Sequence, residues 1–477
     1  SIFEAEYWNK RSQFMDKYKN NLLCVMGEDH KDIFELMRNK GITGGPSMVF
    51  HRYHEVNKSR IQHTEYNDGK FKIGEAHDLV KYICSMDANS LYPSVYMNFM
   101  PCGVPELLEI KEDTHEKIMD DTLFGFVECS LKVKEESYND YLDHPPFYIT
   151  KEINGQKKLS SYMECEKILI STDLYKWYLS HSGIICTEIT KMIKYNKSKP
   201  FEKFVLMGCD MRRDKTNPIA GDVWKLMLNS SFGKMAQNNH LYTNTTFTTD
   251  KKKVDRLVNK WNFKTGSEYG EDKNKLYEIV NSKIRVQENC PIQGACQIYS
   301  GAKQRMLEFY YDFVDKYIER KNYQLMYQDT DSCWLAFTQE NPFETLIKPE
   351  LVSEYELEKE KYLAISDYDQ RTAGLFKNEY GARKVVCLSA KSYFAEPFEG
   401  NTNKLGAKGI QKSNNLTMEM YENALINGVE SVAVNKGFRF TKSLGLQMYR
   451  QEKRGVNSDY DKRHLLENKI NTYPRSF

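Results

Sequence analysis

The segment YQDTDS, residues 327–332, places two carboxylates, Asp329 and Asp331, between two apolar runs. Apolar runs on both sides of a short polar segment predict a β-hairpin with the aspartates at its tip. Strand alternation directs side chains two residues apart to the same side, so the two carboxylates are expected to face the same way. Such a pair repels unless a cation lies between them. The alternative is an ordinary acidic turn on the surface.

A third carboxylate, Asp87, follows the apolar run 82–84 in the segment SMDANSLYPS, residues 85–94. The run predicts a strand, and Pro93 suits the first turn of a following helix. A carboxylate at the end of a strand suits Mg²⁺, although Asp87 could equally cap the helix. With Asp331 close by, the two aspartates would form the paired-metal site used for in-line phosphoryl transfer, holding two Mg²⁺ ions or Mn²⁺ in their place.

A predicted helix contains the segment KLMLNSSFGKM, residues 225–235. Lys225, Asn229 and Phe232 follow an i, i+4, i+7 pattern and therefore share one helical face. That face offers a cation for a triphosphate, an amide for hydrogen bonds and a ring for stacking on a base. Upstream, Arg212, Arg213 and Lys215 are further donors for phosphates. The alternative is a solvated helix with an ordinary basic stripe.

The elements that must position these residues can be read from hydrophobic periodicity. It predicts helical structure over 1–40, a loop over 41–46, an amphipathic helix over 161–180, long helices over 219–239 and 293–320, strands over 323–337, and a mostly helical tail over 400–477. The segment 374–412 contains seven Lys or Arg residues against three Glu, with Tyr380, Tyr393 and Phe394 interleaved. Such a segment suits a surface that follows a nucleic-acid backbone.

Composition limits the class of protein. The 477 residues are 40% hydrophobic and 13% aromatic, and 68 basic residues against 66 acidic ones give a net charge of +2, which excludes a disordered chain. The sequence has no apolar run of roughly 18 residues and no signal segment, so we expect no membrane association. Eleven cysteines without a CxxC pair predict reduced thiols inside a cell, in the cytoplasm or nucleus of a host, or in a virion.

In order and spacing, the three segments resemble motifs A (DxxSLYPS), B (KxxxNSxYG) and C (YxDTDS) of family B DNA polymerases. The sequence KSY, residues 391–393, resembles the KxY motif that grips the primer terminus in this family. The loop GITGG, residues 41–45, is similar to the YxGG element of protein-primed members. The string 44–55 looks like the versions in Maverick/Polinton-type transposons and related viruses; linear plasmids are a further possible source. The resemblance covers about residues 41–412.

The resemblance implies a role for each matching residue. Asp87 and Asp331 match the metal-binding carboxylates, with Asp329 as an auxiliary one. Tyr92 matches the tyrosine whose ring lies under the sugar and excludes a ribose 2′-OH. The remaining matches are the incoming-nucleotide residues Arg213, Lys225, Asn229 and Phe232, and the DNA-binding residues Gly44, Gly45, Lys391, Tyr393 and Lys408.

The resemblance also implies an α+β fold, a right hand with an antiparallel palm sheet, fingers and a thumb. The expected segments are an N-terminal helical remnant or linker (1–40), the start of the palm (41–103), an insertion like terminal-protein region 1 (104–205), the fingers (206–239), an insertion like terminal-protein region 2 (240–290), the palm with motif C and KxY (291–395) and the thumb (396–477). The implied partners of this expected monomer are primer-template DNA, dNTPs and, in protein-primed replication, a terminal protein.

Three features depart from the family pattern. Phe232 replaces the usual tyrosine of motif B, and Ile42 replaces the aromatic residue of YxGG. The nearest candidate for a proofreading nuclease signature, Asp32 to Glu35, has the wrong spacing, and about 40 residues cannot supply that domain. We therefore expect a polymerase domain without the exonuclease in this chain.

The leading hypothesis is a DNA-templated DNA polymerase that adds dNTPs to a primer 3′-OH, and three alternatives compete with it. A two-metal nuclease would also need clustered carboxylates, but it would not need Tyr92 or the helix with Lys225 and Asn229. An inactive relic that only binds DNA would be signalled by loss of Asp87 or Asp331, and both are present. A reverse transcriptase would usually have adjacent aspartates in place of DTD.

Overall fold

The computed structural model describes residues 19–475 except 215, 271–274, 287, 401 and 442–444. It is an α+β structure in which the paired strands of every sheet run antiparallel. Part of the predicted N-terminal helical segment and Lys215 lie outside the described residues. No helix in the described part of the chain is long and apolar enough to cross a membrane.

The central element is an eight-stranded sheet that contains motifs A and C. In sheet order its strands are Ser47–Val49, Tyr323–Asp329, Ser332–Phe337, Tyr82–Ala88, Phe376–Ser389, Ser392–Pro397 and Lys404–Ala407, with Tyr53–Glu55 paired to Phe376–Ser389. The motif A strand lies between two neighbours, and its residues 83–86 are all buried. Apolar side chains on both faces explain why its sequence is a continuous apolar run instead of an alternating one.

Two smaller sheets lie mainly in the segments 104–205 and 240–290. The first has the strands Glu164–Ser171, Gly125–Val133, Ile184–Ser198 and Met100–Leu108, and the second has Thr243–Thr248, Leu276–Ser282 and Phe263–Tyr269. Within the described residues, four two-stranded ribbons complete the strands: Arg60–Asn67 with Lys70–Leu79, Phe147–Ile153 with Gln156–Tyr162, Val432–Thr441 with Gly445–Arg454, and His464–Leu465 with Thr472–Tyr473.

One helix runs through the middle of the protein. Ile292–Leu307 has twelve buried residues and continues as a wider helical turn over Glu308–Asp315. The other α-helices in the part of the chain that the structure describes are Lys31–Leu36, Leu91–Tyr96, Thr114–Met119, Tyr138–Tyr141, Thr172–Ser180, Glu202–Arg213, Pro218–Met235, Lys251–Val258, Pro342–Thr345, Val352–Glu358 and Met418–Asn427. The predicted helices over 219–239 and 293–320 and the strand pair over 323–337 are confirmed, within a few residues at each end.

Two predictions of secondary structure are wrong. The predicted helix over 161–180 is a strand, Glu164–Ser171, followed by a helix, Thr172–Ser180. The tail is mainly strands and loops with the single α-helix Met418–Asn427 in its described part. In both places sheet pairing overrides the local pattern, because charged residues on exposed strand faces imitate helical spacing. The predicted helical segment 1–40 is helical only from Lys31 in its described part, apart from isolated short turns.

A buried carboxylate joins the four-stranded sheet of segment 104–205 to the helical turn that precedes the glycine loop. The Glu128 side chain is 1% exposed and accepts hydrogen bonds from Lys40, Thr190 and Lys191. Burial alone would raise the pKa of Glu128, but the bonds from Lys191, Lys40 and Thr190 outweigh it and lower the pKa to about 2. The ionised carboxylate therefore stabilises the fold at neutral pH.

We expect Glu128→Gln to lower the free energy of unfolding at pH 7 by about 2 kcal/mol, because charge-assisted hydrogen bonds are lost. A lowered pKa makes this contribution complete above about pH 4.5 and lost as the pH falls towards 2. Urea unfolding of both proteins at pH 7 and pH 3 measures it. An equal difference at the two pH values would contradict the assignment.

Candidate active site

The carboxylates of motifs A and C come together at one end of the central sheet. The hairpin Tyr323–Asp329 and Ser332–Phe337 pairs Asp329 with Ser332, and Ser332 in turn pairs with Asp87 on the adjacent strand. The amide of Ala88 donates to the carbonyl of Asp331 at 2.8 Å. The predicted hairpin with Asp331 beside Asp87 is therefore present.

The two aspartates are close enough to affect each other's charge. Burial and the Asp331 carboxylate raise the pKa of Asp87 to about 7, although Lys377 and Lys404 oppose the shift. Burial, with Asp329 adding to it, also raises the pKa of Asp331. The site therefore concentrates negative charge that the protein's own cations only partly compensate, which is the condition under which a bound cation is favourable.

The glycine loop fits directly against the turn between Asp329 and Asp331. The amide of Thr330 donates to the carbonyl of Pro46 at 2.7 Å, and Ser47 pairs with Asp329 in the sheet. A Cβ atom on Gly45 would lie 2.5 Å from the Thr330 Cγ2 atom, so a side chain there would displace the turn. Gly45 is therefore needed for the close approach of the glycine loop to Thr330. A Cβ atom on Gly44, by contrast, would meet open space.

Lys391 lies at the same turn and is exposed. Its ammonium donates to both carboxylate oxygens of Asp329 at 2.8 Å, and its amide donates to the Tyr327 hydroxyl at 2.9 Å. The Tyr393 ring contacts Tyr327, at 5.5 Å between centroids. Lys408 is exposed, and its amide donates to the Lys391 carbonyl. The KxY segment therefore adjoins motif C, with Asp329 paired to a cation.

The rings of Tyr92 and Phe232 stack on one another, at 4.4 Å between centroids and an interplanar angle of 30°. This contact joins the helix Leu91–Tyr96, directly after Asp87, to the helix Pro218–Met235. The sequence pattern placed Phe232 on a nucleotide-facing side without indicating its partner. Lys225 and Asn229, on the same helix, are both exposed.

Basic side chains line two neighbouring cavities that share Arg212 and Arg371. A cavity of about 310 Å³ is also lined by Lys225, with Asp214 and Asp222 at its wall. The other, of about 480 Å³, is lined by Arg213 and Lys377, with Asp367. Because Lys377 pairs with Asp87 in the sheet, these cations extend from the carboxylates to the helix of motif B. A triphosphate chain needs such a row of donors.

Arg213 is already held by other groups of the protein. Its guanidinium donates to the Tyr368 carbonyl, the Thr372 hydroxyl and the Asp210 carboxylate, and it lies 3.6 Å from the centre of the Tyr368 ring. Arg212 donates to the Ser90 hydroxyl in the turn after Asp87, at 2.6 Å. Of the two arginines, Arg212 is the better placed to contact a nucleotide bound at the aspartates.

Sequence reasoning missed several residues of the site. No local pattern links Arg371, Lys377 or Lys404 to Asp87, so the sequence does not indicate that these basic residues belong to the site. Lys462, from the far end of the chain, donates to the Ser47 carbonyl at 2.9 Å. Burial and the nearby Lys408 lower the pKa of Lys462 to about 8. The alternation of Lys and aromatic residues over 374–412 is a signal for Lys377 and Lys404, but Arg371 and Lys462 lie outside that segment.

The residues present fit a divalent cation, although among the described residues no group of three or more His, Cys, Asp or Glu side chains forms a preassembled metal cluster. Asp87 and Asp331 supply hard oxygen donors at one end of the sheet, where burial and the neighbouring Asp331 carboxylate raise the pKa of Asp87. An octahedral ion such as Mg²⁺ takes few protein carboxylates and completes its shell with water and substrate phosphates.

Comparison with known proteins matches these features. The family model for DNA polymerase type B, organellar and viral, matches residues 69–323, just over half of the chain. Motif A and motif B lie within that range, and motif C begins four residues after it. A search of curated proteins finds no match.

Solved structures of phi29 DNA polymerase have a similar fold. Its ternary complex with primer-template DNA and incoming nucleotide substrates aligns with a TM-score of 0.56 and 13% identity, covering 94% of this chain and 66% of that one. Its binary complex with primer-template DNA aligns with a TM-score of 0.52 and 13% identity, covering 92% and 64%. The chain thus spans about two thirds of the length of phi29 DNA polymerase, and the likeness confirms the right-hand polymerase fold. From the match over more than half of its length, the chain belongs to the organellar and viral type B DNA polymerases.

Proposed function

We propose that this chain is a DNA-directed DNA polymerase that extends a primer 3′-OH with dNTPs on a DNA template. The observation that supports this most is the convergence of Asp87 and Asp331 at the end of the sheet, next to the cavities lined by Arg212, Lys225 and Arg371. A nuclease would need the carboxylates without these nucleotide-facing residues. The family match and the likeness to a polymerase bound to DNA and nucleotide support the same reading.

Each group has a defined task in this reaction. Asp87 and Asp331 would hold two Mg²⁺ ions, and such ions would supply activation of the 3′-OH and neutralisation of the charge on the triphosphate and leaving pyrophosphate. Arg212, Lys225 and Arg371 bind and orient the phosphates by charge-assisted hydrogen bonds. These donors would orient the triphosphate towards the primer terminus, and such positioning supplies most of the catalysis in phosphoryl transfer.

The experiment is primer extension with the purified chain, Mg²⁺ and a labelled primer on DNA and RNA templates, supplied with dNTPs or rNTPs. Extension by dNTPs on the DNA template is the expected result. Stronger extension on RNA would favour a reverse transcriptase, and shortening of the primer without extension would favour a nuclease. Extension started on a protein hydroxyl in place of a DNA primer would add the protein-primed mode and a terminal-protein partner to the proposal.

Lys391→Ala should weaken primer-template binding without removing a metal ligand. The ammonium is exposed and lies at the motif C turn, so a phosphate there would exchange with Asp329 as its partner. We expect lower DNA affinity and a salt slope reduced by about one unit, measured by fluorescence anisotropy over a range of salt concentrations. Lys70→Ala, on an exposed ribbon, is the matched control. An unchanged salt slope in Lys391→Ala would place this lysine away from the DNA.

A further inference from the structure

A third aromatic ring completes the contact between Tyr92 and Phe232. Tyr299 lies edge-on to both, at 6.1 Å and 85° from Tyr92 and at 5.0 Å and 87° from Phe232. Edge-to-face pairs at these distances are favourable beyond the area they bury. The three rings belong to three different helices and come from positions far apart in the sequence.

The helices that provide the three rings are unequally anchored. Ile292–Leu307, which contains Tyr299, has twelve buried residues, whereas Pro218–Met235, which contains Phe232, has two among its eighteen. The Tyr299 helix also packs tightly against the Tyr92 helix, because a Cβ atom on Gly301 would lie 2.5 Å from a Val95 methyl carbon. Tyr92 and Tyr299 therefore belong to one packed body, and Phe232 is on a more weakly held helix.

We propose that Tyr299 is a positioning residue that sets sugar selection by fixing the orientation of the Tyr92 ring. This inference depends on the proposed polymerase function and on Tyr92 acting against the ribose 2′-OH. Discrimination by a clash requires a ring that does not tilt, because a tilted ring makes room for the extra hydroxyl. Tyr299 supplies the lateral wall from the better anchored helix, so the orientation of Tyr92 is maintained even when the Phe232 helix shifts.

The position of Tyr299 suits this role. Tyr299 is half-buried, whereas its neighbours 298 and 300 are buried, so its side chain lies where the buried helix meets the site. Burial, together with the Tyr299 hydroxyl and Asp331 nearby, raises the pKa of Tyr92, which is consistent with the two phenols and the motif C carboxylate lying close together. Tyr299 contacts Tyr92 through its ring, and among the described residues it makes no hydrogen bond to Asp87 or Asp331. Its removal should therefore leave the metal site intact.

The test compares kcat/KM for dATP and ATP on one DNA template in wild type, Tyr299→Leu, Tyr299→Phe and Phe232→Leu. We expect Tyr299→Leu to lower the dATP/ATP ratio about three- to tenfold, the range that an aromatic pair implies. Tyr299→Phe keeps the ring and should retain the ratio, while Phe232→Leu should change it less than Tyr299→Leu does. Equal losses for both nucleotides, or a ratio unchanged in Tyr299→Leu, would overturn the inference.

A second measurement does not require turnover. The affinities for dATP and for ATP are determined by fluorescence titration of each variant bound to a dideoxy-terminated primer. If circular dichroism shows that Tyr299→Leu is unfolded, Tyr299→Met replaces it. If the ratio of the Kd for ATP to the Kd for dATP is smaller in the variant than in the wild type, the inference is supported. An unchanged ratio contradicts it. A wild-type chain that neither extends a primer nor binds a nucleotide would refute both this inference and the proposed function, whereas an active wild type with an unaltered variant ratio would refute the inference alone.

Discussion

Asp87→Ala and Asp331→Ala should each abolish nucleotide addition while most primer-template binding survives. Each substitution removes one of the two carboxylates that meet at the end of the central sheet. Loss of a metal ligand should cost several kcal/mol of transition-state stabilisation, or roughly a thousandfold in rate. DNA affinity depends mainly on basic contacts to phosphates, which neither substitution touches.

The measurement is single-turnover incorporation together with DNA binding for each variant. Asp78→Asn is a matched control, since this carboxylate is exposed on the ribbon Lys70–Leu79 and should leave the rate unchanged. If either active-site variant retained more than a tenth of the wild-type rate, the metal assignment would be wrong. A parallel loss of DNA binding and of the folded spectrum would instead indicate a structural role for the aspartate.

Tyr92→Val should raise ribonucleotide incorporation relative to deoxyribonucleotide incorporation. Tyr92 follows Asp87 by five residues, in the first turn of the helix that follows the motif A strand, so we expect its ring to lie next to a nucleotide bound at the aspartates. Valine removes the flat ring that would clash with a 2′-OH. Burial keeps this side chain in place, since Tyr92 packs on Phe232 and Tyr299.

The ratio of kcat/KM for dNTP over rNTP on one template measures this effect. Tyr92→Phe keeps the ring and should preserve most of the discrimination, which separates the ring from its hydroxyl. If Tyr92 were only a core aromatic residue, Tyr92→Val would lower stability and both activities alike. An unchanged ratio after such a fall would refute the steric role.

Much of the site could be predicted from local sequence, because its central parts are short and continuous. Two apolar runs around YQDTDS allow few structures other than a hairpin, and an apolar run before Asp87 predicts a strand that ends there. The long helices over 219–239 and 293–320 were equally accessible, since their periodicity extends over many turns. By contrast, the tail and the segment 161–180 were misjudged where strand pairing with distant residues decided the structure.

By itself, the sequence determined the candidate carboxylates, basic residues and aromatic residues of the site and their order along the chain. Only the tertiary structure decided which of these residues contact one another. Lys391 pairs with Asp329, and Arg212, unlike Arg213, donates to the turn after Asp87. Tyr299 packs edge-on against the stacked rings of Tyr92 and Phe232. Local patterns report on propensity and burial within one element. Contacts between elements depend on sheet register and helix packing over a hundred or more residues, and these long-range pairings leave no periodic signal at the positions they bring together.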